Sequence, residues 1–188
     1  MKKQTCIVQT YSGIGFDILN PVPEKILIPD IAHSLSLLCR FTGHSRVHYS
    51  VAQHSILCQA LAPENCPSLR LACLLHDSQE YLISDLPTPF KRLFPRYKKI
   101  EKNLTVVIAK KFNISLETFK ETKLYDRMAL SIESNALMGP LHPIWKEYDF
   151  IWPEDYEYPY ELSQIKPMSP QEAEQEYLKT FNELWLSR

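Results

Sequence analysis

Leu69-Arg70-Leu71-Ala72-Cys73-Leu74-Leu75-His76-Asp77-Ser78-Gln79-Glu80 is the stretch on which the reading of this chain turns. Leu69, Leu71, Ala72, Leu74 and Leu75 form an apolar run, and Pro67 just before it suits the first position of a helix, where its missing N–H is not needed. The run predicts a buried helix that delivers the polar pair His76-Asp77 at its end. Glu80 follows four residues after His76 and three after Asp77, which places all three on one side of a continuing helix.

Upstream, Ser50-Val51-Ala52-Gln53 has the S-x-x-Q form of a capping box and predicts a helix through Leu61 with His54 in its first turns. Pro63 and Pro67 bracket the turn between the two helices. Further back, Ile31, Leu35 and Leu38 at helical spacing predict a first helix capped by Asp30, running to about Phe41 and closed by Gly43. Residues 5–29, with Gly13, Gly15, Pro21, Pro23 and Pro29, read as an irregular or short-hairpin opening segment.

Downstream, Pro87 and Pro89 force a loop after Asp85, because each fixes φ and disfavours helix in the residue before it. Pro95 opens a fourth helix to about Phe112. Ser115 or the following turn begins a fifth through Leu124, Met128, Ile132 and Leu137, stopped by Gly139-Pro140, with Asp126 well inside it. Residues 139–168 carry five prolines among Trp145, Trp152 and several tyrosines and read as an ordered loop clamped over the domain. Ser169-Pro170-Gln171-Glu172 is a second capping box, opening a last amphipathic helix to Trp185 within a C-terminal segment 169–187.

The 188 residues, 45% apolar, suit one domain (1–188) with one sizeable core. Twenty-one basic against 22 acidic residues give a net charge of -1, not the footprint of a protein that grips a nucleic-acid polymer. Cys6, Cys39, Cys58, Cys66 and Cys73 make no C-x-x-C, and Cys39, Cys58 and Cys73 fall in apolar helical patterns as small hydrophobes. A reducing, cytoplasmic setting is expected. The N-terminal apolar patch is too short for a signal peptide or a spanning helix, so no membrane partner is expected.

His54, His76, Asp77 and Asp126 together offer two imidazoles and two carboxylates. Mixed nitrogen and oxygen donors that leave positions open for water and substrate suit a first-row divalent ion. A lone His-Asp dipeptide is a short motif that chance supplies often. Here it ends an apolar face, where an ionised Asp without a cation is costly to bury. Asp85, before a proline-stiffened loop, brings another carboxylate near. Each residue also has a plainer reading: His54 extends its helix's polar face, and Asp126 pairs with Lys123 or Arg127. His33 reads as a satisfied structural histidine, His44 as a loop residue able to touch a ligand, and His48 and His142 as surface. Arg92, Arg96, Lys98, Lys99 and Lys102 read as a solvated helix face, whereas Lys91 stands near the pocket, able to meet a phosphate.

These residues resemble the HD-domain metal-dependent phosphohydrolases, in particular the small bacterial 5'-deoxynucleotidases and the phage deoxyadenosine triphosphate triphosphohydrolases. The resemblance runs in order through Arg40-Phe41, Ser50 to Ser55, Leu75 to Glu80, Ser84 to Lys91 and Tyr125-Asp126, over about residues 31–137. It implies an all-α HD-domain bundle with a metal between helices and a homo-oligomeric assembly. It assigns His54, His76, Asp77 and Asp126 to one divalent ion of manganese, cobalt, iron, nickel or zinc, and leaves open a second. Glu80 and Asp85 would manage the attacking water, and Arg40 would face the phosphate. The family's deoxynucleotidases usually carry Trp where this chain has Phe41.

The expected function is metal-dependent hydrolysis of phosphate ester or anhydride bonds in small (deoxy)nucleotides, with Arg40, Phe41, His44 and Lys91 on the substrate side. Two rivals remain. A signalling-nucleotide phosphodiesterase is disfavoured because Glu80 is followed by Tyr81 rather than Asp and no Gly-Tyr-Pro signature is present. A non-catalytic nucleotide-sensing module would have less reason to retain Glu80 and Asp85.

Overall fold

The computed structural model describes residues 4–144 and 165–188. Residues 7–17 form a hairpin: β1 (Ile7–Gln9) pairs antiparallel with β2 (Gly15–Asp17), with Val8 opposite Phe16. Asp17 Oδ1 accepts the backbone N–H groups of Cys6 and Leu19 and so ties the hairpin to the following turn. The expected short-hairpin start is present, and everything after it among the described residues is helical or connecting chain.

The helices are α1 (Ile28–Leu37), α2 (Val51–Leu61), α3 (Pro67–Leu75), the one-turn α4 (Glu80–Ile83) and α5 (Thr88–Lys91), α6 (Pro95–Lys111), α7 (Leu116–Leu137) and α8 (Pro170–Leu186). The expected all-α bundle is observed. Its starts follow local chemistry. Pro67 and Pro95 occupy first-turn positions, the Ser115 hydroxyl accepts Thr118 N–H, and Ser169 and Glu172 complete a reciprocal capping box.

α3 is the axis of the bundle. Leu71, Ala72, Cys73, Leu74 and Leu75 are all fully buried, and neighbours surround the helix as α2, α7 and α8 pack against it. A helix that is apolar nearly all round belongs in such a position. One apolar cluster gathers Phe16, Ile26, Ile31, Leu35, Leu74, Leu104, Ile108, Tyr177 and Phe181. A second fills the space between α2, α3 and α7 with Leu57, Cys58, Leu61, Cys73, Met128 and Ile132. Tyr177 of α8 reaches through the first cluster and donates its hydroxyl to Leu74 C=O at 2.8 Å, which offsets the cost of burying that hydroxyl.

Four expectations need correction. Asp30 does not cap α1: the helix begins at Ile28 with Leu27 at its cap and Pro29 in the first turn, and Asp30 Oδ1 instead accepts Ser12 N–H at 2.7 Å, pinning the hairpin to α1. α1 also ends at Leu37 rather than near Phe41, because Leu38 turns extended and Cys39 forms a β-bridge with Ser50, which takes Cys39 out of the helix. The Ser50 box is only half made: its hydroxyl accepts Gln53 N–H, while Gln53 Nε2 donates to Lys166 C=O. Finally, His76, Asp77 and Glu80 do not ride one helix, since α3 stops at Leu75 and Ser78, Glu80 and Tyr81 make tighter bonds three residues back.

Cys58 and Cys73 are buried free thiols as expected, and Arg92, Arg96, Lys98, Lys99 and Lys102 are exposed. No helix among the described residues is long and apolar enough to cross a membrane. The aromatic segment expected to clamp the domain lies mostly outside the described residues.

Candidate metal centre

Three helices and one turn converge on a single point. α2 presents His54 one turn in from its Ser50 cap, the end of α3 presents His76, the tight turn after it presents Asp77, and the middle of α7 presents Asp126. His54 Nε2 lies 3.3 Å from His76 Nε2, 3.2 Å from Asp126 Oδ1 and 3.6 Å from Asp77 Oδ2. His76 Nε2 lies 3.1 Å from Asp77 Oδ2 and 3.8 Å from Asp126 Oδ1. Donors about 2.1 Å from one ion stand roughly 3.0–3.4 Å apart, depending on whether it is octahedral or tetrahedral. The His54, His76 and Asp126 atoms fall close to that spacing and could hold a metal ion, with Asp77 Oδ2 beside the two imidazoles but outside that mutually close set.

Both rings are locked with the same nitrogen inward. His76 Nδ1 is 2.7 Å from Cys73 C=O, which can only accept, so Nδ1 carries the proton. His54 Nδ1 is 2.8 Å from Glu133 Oε1, and that carboxylate fixes the second ring in the same tautomer. Each Nε2 lone pair is thereby directed at the cluster, an arrangement typical of metal-ligating histidines.

Around this centre stand the other expected residues. Glu80 is buried, its Oε1 accepts Lys91 Nζ at 3.0 Å, and its Oε2 has no hydrogen-bond partner. Asp85 follows the left-handed Ser84 (φ 65°), whose carbonyl accepts the Tyr97 hydroxyl at 2.8 Å, so α6 steadies the turn that brings Asp85 in. Arg40 is buried with Nη2 on Glu133 Oε2 at 2.9 Å, while its Nε has no partner. Phe41 and Thr42 both have φ 54° ahead of Gly43, a conformation costing non-glycine residues about 1–3 kcal/mol each, and Phe41 lies under the Arg40 guanidinium. His44 is exposed on that turn. Lys91, expected at a phosphate, is held instead between Glu80 and Glu101 Oε1, the latter at 2.9 Å. His33 meets its structural reading, stacked on Tyr11 and bonded to Glu174.

No family model matches the chain. Over 177 residues, 94% of its length and 94% of the other protein, it is 33% identical to the uncharacterized protein YfdR of Escherichia coli (strain K12). The chain belongs to the YfdR family. It is also 37% identical, over 68% of its length and 71% of the other's, to an uncharacterized protein of Rhodobacter capsulatus. Neither relative's name states an activity, so the chemistry of this YfdR-family site rests on its own residues.

Its electrostatics are those of a cation centre. Five carboxyl groups, Asp77, Glu80, Asp85, Asp126 and Glu133, surround two permanent cations, Arg40 and Lys91. Burial alone raises the Asp77 and Asp126 carboxyls, but contact with His76 and His54 outweighs it and holds both below the usual carboxylate range. The histidines move the opposite way: burial disfavours the imidazolium, yet Asp77 raises His76, and Glu133 with Asp126 raises His54. Positive charge is thus strongly favoured between these four side chains. Glu80 is different: burial first, then Asp77 and Asp85, push it well above an ordinary glutamate, with Lys91 opposing. Burial likewise raises Asp85.

Glu133 is the residue that sequence reasoning missed. It is fully buried, and it receives His54 and Arg40. Those partners hold it ionised against the effect of burial. The available signal was its place seven residues after Asp126, two turns along the same face of α7, among small and apolar residues.

Proposed function

We propose that this protein is a metal-dependent phosphohydrolase of small (deoxy)nucleotides, with a divalent ion of the first transition row held by His54, His76, Asp77 and Asp126. The observation that carries the reading is the pair of locked imidazoles, each with Nδ1 tied off and Nε2 aimed between two half-buried aspartates. A divalent ion bound there supplies the acidity that makes water a nucleophile near neutral pH and the charge that screens a phosphoryl oxygen.

The chain's own groups account for the rest. Glu80, buried and raised in pKa, is suited to accept a proton from water, and Asp85 stands by for the same task. Lys91 fixes one Glu80 oxygen and leaves the other unpartnered, so the basic atom is positioned without being consumed. Arg40, anchored through Nη2, keeps Nε unpaired for an anionic group. The resemblance to 5'-deoxynucleotidases and triphosphohydrolases supports a small nucleotide over a polymer, and a homo-oligomer in a cytoplasmic setting belongs to the same reading. The test is to incubate the metal-loaded protein with nucleoside mono-, di- and triphosphates and resolve inorganic phosphate from tripolyphosphate. Release of either supports the proposal; no turnover with the metal confirmed in place refutes it and favours the sensing module.

A further inference from the structure

The two halves of the site meet in one side chain. Glu133 places Oε1 2.8 Å from His54 Nδ1 and Oε2 2.9 Å from Arg40 Nη2, with both partners and the carboxylate itself out of solvent. The anion-facing group and one cation-facing group therefore share a support. From this geometry we infer that Glu133 is a positioning residue that couples cation binding to anion binding, a deepening that rests in its anion half on the proposed function.

A carboxylate is the only side chain that does both tasks at once. Accepting from His54 Nδ1 keeps the proton there and the Nε2 lone pair free; accepting from Arg40 fixes the guanidinium with Nε unpaired. An amide in the same place has one acceptor and one donor. If its oxygen takes His54, its NH₂ confronts Arg40; if it takes Arg40, its NH₂ faces His54 Nδ1 and drives the ring proton to Nε2, where it blocks the cation. A residue that served only to stabilise α7 would have no such requirement for charge.

The experiment compares wild type with Glu133→Gln and, as a control for general loosening of α7, Ser134→Ala, whose buried hydroxyl bonds within the helix at Ser131 C=O. Mn²⁺ affinity is read by competition with a chromophoric chelator, the Co²⁺ ligand-field spectrum reports coordination, and inorganic phosphate is titrated into the Mn²⁺-saturated proteins. Glu133→Gln is expected to weaken Mn²⁺ binding about 10–100-fold, as replacement of a metal ligand's supporting partner does, to alter the Co²⁺ spectrum and to weaken phosphate binding as well. Ser134→Ala should leave all three unchanged even where its melting temperature falls. Unchanged Mn²⁺ affinity in Glu133→Gln overturns the inference, and so does lost Mn²⁺ affinity with phosphate binding intact at saturation. Should Glu133→Gln not fold, Arg40→Lys carries the test in reverse. It keeps the charge but loses the Nη2 contact to Glu133 Oε2, and the coupling predicts weaker Mn²⁺ binding from a residue outside the cation cluster, with unchanged binding overturning it. Because the Mn²⁺ readouts need no turnover, a wild type that binds Mn²⁺ and hydrolyses nothing sinks the phosphohydrolase reading while leaving the role of Glu133 decided by its own result.

Discussion

Lys91→Met removes the ammonium that faces Glu80 and should destabilise the protein in a pH-dependent way. Lys91 Nζ lies 3.0 Å from a glutamate side chain that is 2% exposed, and is itself 15% exposed. Breaking such a pair by deleting one partner costs about 3–5 kcal/mol when the survivor must stay charged. Glu80 has an escape, since burial and the neighbouring Asp77 and Asp85 already raise its pKa and loss of Lys91 raises it further. A carboxyl whose folded pKa exceeds its unfolded value costs no stability below the unfolded value, about 4.3. The cost grows as pH climbs toward the folded pKa, by at most about 1.4 kcal/mol per pH unit. The difference between wild type and Lys91→Met should therefore be small near pH 4.5 and reach about 3 kcal/mol at pH 8. Urea unfolding of the chelator-treated proteins across that range measures it. Glu101→Gln is the companion, because it breaks only the more exposed arm and should cost less than about 1 kcal/mol. A Lys91→Met penalty that is flat in pH, or matched by Glu101→Gln, would refute the argument that Lys91 compensates a buried, ionisable Glu80.

Asp77→Ala should lose bound metal and turnover together, while Glu80→Ala keeps the metal, measured on the dialysed protein, and loses about 10²–10⁴-fold in rate; full activity in either variant removes its assigned role. Saturation with Mn²⁺ at one hundred times its dissociation constant should stabilise the fold by about 2.7 kcal/mol in urea unfolding, and an unshifted midpoint would mean that the cluster binds no Mn²⁺. Glu172 is held below the usual glutamate pKa by the backbone N–H and hydroxyl of Ser169, so its contribution is present above the unfolded value and lost as pH falls through the folded one. Glu172→Gln should accordingly be less stable than wild type at pH 7, with the gap closing toward pH 3; a gap that widens on acidification contradicts the capping role.

Helix starts were legible because they are chemically local: a proline at 67 or 95 and a serine at 115 or 169 act within one turn, and the structure has them in place. Helix ends were not, because partners far along the chain set them. α1 stops where it does because Cys39 bridges Ser50, and no residue near Leu37 announces that. The candidate ligands were legible for a related reason, since His76-Asp77 is contiguous and His54 and Asp126 sit at readable positions in predicted helices. What those residues face was not. Lys91 follows a proline turn and by sequence alone points toward a phosphate, but its charge is taken up by Glu80 eleven residues before it and Glu101 ten after, which meet only once α4, α5 and α6 have folded. Glu133 is hard to read from sequence for the converse reason. A carboxylate on a helix usually faces water, and only the neighbours Ser131, Ile132 and Ser134, all buried, mark this one as facing inward. A buried charge needs a partner of opposite sign, so an acidic residue on the apolar face of a predicted helix calls for a search for its cation. Here that search ends at Arg40 and His54, the two groups through which anion and metal would be held.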